Sequence, residues 1–242
     1  MNLLRILLCT CAALAASGCA MPAAREALHS AIRSGDAEAL AELSPSKRLA
    51  NARYRGGDTP LTYATRLGAT NSIMRLVEAR ADVDRPNGDG DRPLHVAAEE
   101  TPATIAILVA YGADVDATNE RGRSPLQEAA RAGNVDALNA LLKAGADLSF
   151  EDARGQTALH HGTRSARATS RLLKAGADPN ASSEQAEGAP SPLQVAKSHL
   201  HQWQRIRTTP GTGYSRDAID RRIRESWEVI DLLRSHGAVA TP

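Results

Sequence analysis

The amino-acid sequence predicts an all-α solenoid of about six stacked helix–turn–helix units, closed by an enlarged C-terminal capping unit. Three observations predict it. Leu28, Leu61, Leu94, Leu126, Leu159 and Leu193 recur at spacings of 33, 33, 32, 33 and 34 residues. Five of them end a short start signature: Thr59-Pro60-Leu61, Arg92-Pro93-Leu94, Ser124-Pro125-Leu126, Thr157-Ala158-Leu159 and Ser191-Pro192-Leu193. About 20 residues later come Arg80-Ala81-Asp82, Gly112-Ala113-Asp114, Gly145-Ala146-Asp147 and Gly176-Ala177-Asp178. Such a period marks a repeat array, in which each unit buries its apolar face on its neighbours.

Each element follows from local chemistry. A Thr or Ser hydroxyl before Pro caps orphan helix amides, and Pro is tolerated at the first helical position. Gly68 and Gly133, with Gly35 equivalent in the first unit, mark the turn between an inner and an outer helix. Leu76-Val77, Leu108-Val109, Leu141-Leu142 and Leu172-Leu173 are placed to bury one face of each outer helix. The Gly of Gly-Ala-Asp ends that helix in the left-handed conformation. The first unit, Leu28-His29-Ser30-Ala31-Ile32, lacks the start signature and reads as an N-terminal cap. In the third unit Thr101-Pro102 replaces the mid-unit Gly, and Pro there begins the outer helix. The fifth unit has Ala158 for Pro and a Leu159-to-Leu172 span shorter than Leu126-to-Leu141, which predicts a clipped or irregular outer helix. In the last unit an extended inner helix runs through Trp203 and Ile206. A loop over residues 208–214 follows, then a long helix to about Ser235 with Ile219, Ile223, Trp227 and Ile230 on one face. Trp203 and Trp227 are therefore expected in the core.

This pattern resembles the ankyrin repeat, a hairpin turn followed by two antiparallel helices. The resemblance covers Glu26 to about Leu200 and resumes in the last helix. It implies that His95 and His160, directly after the repeat Leu, tie the hairpin turn to the next unit by hydrogen bonds. It also implies a non-catalytic protein-binding function, with hairpin tips and the outward face of the inner helices forming a concave surface. Carried over by position, the partner-binding candidates are Tyr54, Arg55, Asp58, Asp89, Asp91, Glu120, Arg121, Arg123, Arg154 and Gln156 at the tips. On the inner helices they are Arg66, Glu99, Glu100, Arg131 and Arg164. These form a mixed-charge ladder with an acidic third unit. Tyr54 and Tyr214 are candidate anchors, because interface energy concentrates in Trp, Tyr and Arg. A protein partner would cover about 800 Å² on this side.

The N-terminus reads as a targeting segment. Arg5 precedes an apolar run, Ile6 to Ala16, that is far shorter than the roughly 20 residues a spanning helix needs. The run ends in Ala16-Ser17-Gly18-Cys19. This resembles the lipobox of bacterial lipoproteins, although that box prefers Leu where this chain has Ala16. The resemblance implies a signal peptide over residues 1–18, acylation (palmitate-type) of Cys19 with a tether over 19–25, and a repeat domain over 26–242. Ala20 after the cysteine then favours the outer membrane, with the domain facing the periplasm. All three cysteines, Cys9, Cys11 and Cys19, lie in this segment, so the mature chain has no free thiol for a disulfide or thiolate metal site.

Composition narrows the function classes. Lys and Arg number 29 against 28 Asp and Glu, a formal net charge of +1, which argues against a dedicated nucleic-acid binder. No phosphate loop, HExxH or serine-elbow motif occurs. Adjacent helical residues point about 100° apart, so His160-His161 does not readily share a metal, and His199 with His201 does no better. The expectation is a monomeric, non-enzymatic protein with no cofactor and no metal, anchored to a membrane by lipid and holding a protein partner. Its role is that of an immunity-type inhibitor of a secreted toxic effector, or of a scaffold or protector for a resident periplasmic enzyme. A cytoplasmic adaptor is the alternative if the lipobox is misread. An enzyme would require His160, His161 and a carboxylate to converge in a pocket.

Overall fold

The computed structural model describes residues 21–43, 46–54, 56–181, 190–209 and 212–239. The segment expected to be a signal peptide, Cys19, Arg55 and the middle of the last loop lie outside them. Among the described residues there are helices and turns and no β-strand. None of these helices is long and apolar enough to cross a membrane. The chain divides into two compact units between Glu120 and Arg121.

The first unit opens with α1 (Met21–Ser34) and α2 (Ala37–Leu43), then a single helical turn, α3 (Lys47–Ala50). Residues 21–25, expected as tether, are the first turns of α1, and Ala24 is buried. Two further helix pairs follow: α4 (Pro60–Arg66) with α5 (Thr70–Glu78), and α6 (Pro93–Glu99) with α7 (Ile105–Ala110). Pro102 begins the outer helix of the third pair as expected, through a 3₁₀ turn over Pro102–Thr104. Leu28, Ile32, Leu61, Ile73, Leu76, Leu94, Ile105 and Leu108 form the core. Ala64, Ala97 and Ala98 are fully buried, and their small side chains let the inner helices approach closely.

The second unit has α8 (Pro125–Ala132) with α9 (Val135–Lys143), α10 (Ala158–Gly162) with α11 (Ala166–Lys174), and the long pair α12 (Pro192–Thr208) and α13 (Arg216–Ser235). The fifth pair corrects one expectation. Its outer helix keeps nine residues, the same as α9, while its inner helix shrinks to five. Gly162 sits where a Cβ would meet a Leu172 methyl at 3.0 Å, so α10 stops where the outer helix crosses close above it.

The start signatures act as caps. Thr59, Ser124 and Ser191 each accept the amide of the third helical residue, and Gln127 and Gln194 reach back to the capping residue's amide. His95 and His160 occupy that same third position. Gly35, Gly68 and Gly133 take φ near +70° at the mid-unit turns. Arg80, standing where later units have Gly, takes φ +65°.

Two placements on the last pair differ from expectation. Trp203 is half-buried, and Trp227 is 46% exposed. The buried stripe of α13 runs through Ile219, Ser226, Val229, Ile230 and Leu233. Ser226 faces inward with its hydroxyl bonded back to the Arg222 carbonyl, so the neighbouring Trp227 is turned out.

Candidate protein-binding surface

The hairpins are self-contained. Asn87 accepts the amides of Asp89 and Asp91 on its side-chain oxygen, which leaves its Nδ2 to donate to Asp58 of the preceding hairpin at 3.0 Å. Asn119 donates in the same way to Asp91 at 2.7 Å. Asp152 holds the equivalent place, taking the amides of Arg154 and Gln156 on Oδ1. The first residue of each hairpin therefore points beneath the turn, and all three are buried.

That register explains Tyr54, which corrects its assignment as a projecting anchor. It occupies the same first position, and its amide donates to the Asp58 carbonyl. Its ring lies edge-on to His29 at 5.0 Å and to Tyr63 at 6.1 Å, and its hydroxyl is buried without a hydrogen-bond partner among the described residues. Burial, with Tyr63 and Glu26 nearby, raises the pKa of that hydroxyl.

Several charges read as a ladder are committed to one another. Arg66 pairs with Glu100 and reaches Asp58 at 3.4 Å. Asp58 and Asp91 are half-buried acceptors for the asparagines. In the second unit Arg123 is only 14% exposed and meets Glu128 Oε1 at 2.9 Å, while Arg131 meets Oε2 at 2.7 Å. Glu128, a buried carboxylate between two guanidinium groups, was not singled out by sequence. The pattern around it, an acid on the buried face of an inner helix, was its only signal. Arg123 and Asp58 are thus framework rather than tip. Gln156 is half-buried, its carbonyl accepting from Gln127 at 2.8 Å. Gln127 also donates to the Phe150 carbonyl, a tie to the next hairpin of the kind expected of His95 and His160.

The side chains that do face solvent are Asp89, Glu100, Glu120, Arg121, Arg131, Arg154, Arg164 and Tyr214, with Glu99 half-buried. Glu120 lies across Gly90, whose added Cβ would meet it at 2.3 Å. Tyr214 is 58% exposed and stands edge-on to Trp203 at 5.5 Å.

The histidines separate into distinct tasks. His95 Nδ1 accepts the Arg92 amide at 3.3 Å, and His160 Nδ1 accepts the Thr157 amide at 3.0 Å, so each caps its own helix. His160 Nε2 is buried, with the Pro190 carbonyl of the next hairpin near it but in no well-formed hydrogen bond. Burial pushes its pKa down to about 4, against a smaller opposing pull from the Pro190 carbonyl. His161 Nε2 meets Asp152 Oδ2 at 2.9 Å, and burial lowers its pKa also. His161 and a carboxylate do converge, then, but both Asp152 oxygens are occupied and His160 is turned to its own cap. No group of three or more His, Cys, Asp or Glu suited to a metal occurs among the described residues.

The family model described as ankyrin repeats (3 copies) matches residues 28–119 and 94–183. Cyclin-dependent kinase 4 inhibitor B of Bos taurus is 33% identical over 102 residues, covering 42% of this chain and 78% of that protein. Neurogenic locus notch homolog protein 1 of Xenopus tropicalis is 32% identical over 115 residues, 47% of this chain but 5% of that protein. E3 ubiquitin-protein ligase KEG of Arabidopsis thaliana is 30% identical over 147 residues, 55% of this chain and 9% of that protein.

Proposed function

The chain belongs to the ankyrin-repeat family, and from that premise we propose that it is an exported, lipid-anchored binder that neutralises a secreted toxic protein at the periplasmic face of the outer membrane. Ankyrin repeats bind proteins, and protein binding is the function that family membership carries. The observation behind the proposal is the division of labour among the charges. Asn87, Asn119, Asp152 and Gln127 hold the hairpins together, while Asp89, Glu120, Arg121 and Arg154 face solvent at the tips. A surface so arranged can exchange tip residues without disturbing its frame, which suits recognition of one protein among many.

The exported location rests on the N-terminal sequence, where Arg5, an apolar run and Ala16-Ser17-Gly18-Cys19 follow one another. Multiple acyl chains on Cys19 would hold firmly, since each buried CH₂ contributes about 0.8 kcal/mol. The inhibitory role is supported by relatives that are, by name, inhibitors of a kinase.

The test is crosslinked affinity capture from envelope, with full-length tagged protein. Controls carry C19S or charge reversals at Arg121, Arg131 and Arg154. The proposal expects one stoichiometric partner with a toxic activity, lost on charge reversal, and release of the C19S protein from membranes. A resident periplasmic enzyme as the partner would establish the scaffold role instead. Retention of C19S in the envelope would sink the anchor, and a deletion strain indifferent to neighbouring cells' effectors would sink the immunity role.

A further inference from the structure

The last helix pair is longer than closing the stack requires. α12 has 17 residues against 8 in α8, an overhang of about 13 Å at 1.5 Å per residue. Its fully buried side chains, Leu193, Ala196 and Leu200, lie in its first half. The remainder of α12, with α13 returning beside it, stands over the helix–helix turns of the two preceding pairs.

Between them lies a cleft of about 440 Å³. Arg131 comes from the last turn of α8, Arg164 from the turn after α10, His199 and Trp203 from α12, and Arg222 and Glu225 from α13. Two of the three guanidinium groups have a carboxylate nearby: Arg131 on Glu128 at 2.7 Å, and Arg222 on Glu225 at 3.1 Å. Glu128 is shared, because Arg123 meets its other oxygen. Arg164 has no ion-pair partner among the described residues and is exposed. His199 adds no compensating negative charge. The cleft is therefore cationic, and Trp203, backed by Tyr214, supplies a flat apolar wall beside the charges. Its volume is within the roughly 300–1,000 Å³ common for ligand pockets.

We propose that this cleft, formed by the enlarged last unit over the turns of its neighbours, receives an acidic peptide segment of the protein partner. One carboxylate seats on Arg164 and Arg222, and the adjoining chain packs on Trp203. Arginine suits this task because its planar fork takes a carboxylate on two parallel hydrogen bonds. The proposal deepens the protein-binding reading and rests on it. It makes the C-terminal pair a recognition element at the turn end of the units, opposite the hairpin tips.

The experiment selects a phage-displayed random dodecapeptide library on the full-length protein, then measures the selected peptides as synthetic probes by Trp203 fluorescence in a W227F background. The chain has two tryptophans, so Trp203 is then the sole reporter. Enrichment of Asp- and Glu-rich peptides is expected. R164E should weaken them at least tenfold, Gln-for-Glu peptides should fail to bind, and R164E should leave the Tm unchanged because the side chain is exposed. Recovery of no acidic peptides, or acidic peptides that R164E binds equally well, overturns the proposal. So does Arg164-dependent binding of phosphatidylglycerol vesicles without peptide binding, which would assign the cleft to lipid. A partner captured equally by wild type and R164E would remove the cleft's role and leave the protein-binding reading standing. Arg164-dependent acidic peptides with no captured partner would do the reverse.

Discussion

Asp152 joins its own hairpin to the next helix by meeting His161 Nε2 at 2.9 Å on one oxygen while closing the turn with the other. The two preceding hairpins carry Asn87 and Asn119 in that position and use the spare amide to reach the hairpin before. The carboxylate cannot donate, so it turns instead to the ring behind it. Substituting D152A should cost about 2 kcal/mol, since it strands buried amides and the imidazole. D152N keeps the acceptor and should cost less than half as much. Urea denaturation of both variants checks the order, and equal losses would contradict it.

Stability should fall in mild acid. His160 has a folded pKa of about 4, and His161 is likewise lowered, against about 6.5 when unfolded. Between those values the unfolded chain binds protons that the folded chain does not. Stability is therefore full above pH 6.5 and declines toward pH 4, by up to about 1.4 kcal/mol per pH unit from His160, with His161 adding in the same sense. Gln serves the same capping position at Gln127 and Gln194, so H160Q should keep the cap and flatten the profile. An unchanged slope of unfolding free energy between pH 7.5 and 5 would contradict this.

Arg80 holds a left-handed backbone that later units give to glycine. Substituting R80G should raise stability by about 1 kcal/mol, from the relieved Cβ–carbonyl clash less the added chain entropy. Thermal unfolding reads the gain as a rise of a few degrees in Tm, and a fall would count against it.

Gly57 is the reverse case. It has φ +90°, and a Cβ there would lie 2.7 Å from the Gly88 backbone of the next hairpin. Neither backbone can move without breaking its turn, so G57A should cost about 2 kcal/mol or more. A stability within 0.5 kcal/mol of wild type, roughly the range of an ordinary surface change, would show that the hairpins can separate.

Glu128 balances Arg123 and Arg131 from a buried position. Substituting E128A leaves Arg123 largely enclosed without its carboxylate and should cost about 3 kcal/mol. R131A should cost much less, since that guanidinium is more than a third exposed and open to water. A double-mutant cycle separates the two couplings.

Much of the architecture was legible beforehand because repeats restate one local rule. The Thr59, Ser124 and Ser191 start signatures repeat the same capping bond, His95 and His160 accept the cap amide at the other two, and the mid-unit glycines take the positive φ that their turn demands. The fifth pair was misread because a leucine-to-leucine distance cannot say which of two helices loses the residues. Only the crossing of Leu172 over Gly162 decided that. Trp227 was misread for a related reason: a seven-residue hydrophobic stripe is ambiguous by one position on a long helix. In the folded chain Ser226 takes the buried position, its hydroxyl bonded to the Arg222 carbonyl.

The candidate surface was less legible. Arg55 and Cys19 lie outside the described residues, and several tip charges, Asp58, Asp91 and Arg123 among them, proved to be framework. Their type and spacing match those of Asp89 and Arg154, which face solvent; burial and partner geometry alone separate them.

By itself, then, the sequence determined the helix pairs, their caps and their turns, because each depends on residues within a few positions of one another. The tertiary structure decided which charges are spent on holding the hairpins, which ring hides beneath a turn, and that Arg131, Arg164 and Arg222 share one cleft. Those outcomes depend on which side chains meet through packing, in the cleft from positions as far apart as Arg131 and Arg222. No local rule specifies such meetings, because they follow from how far each helix runs and which face it must bury.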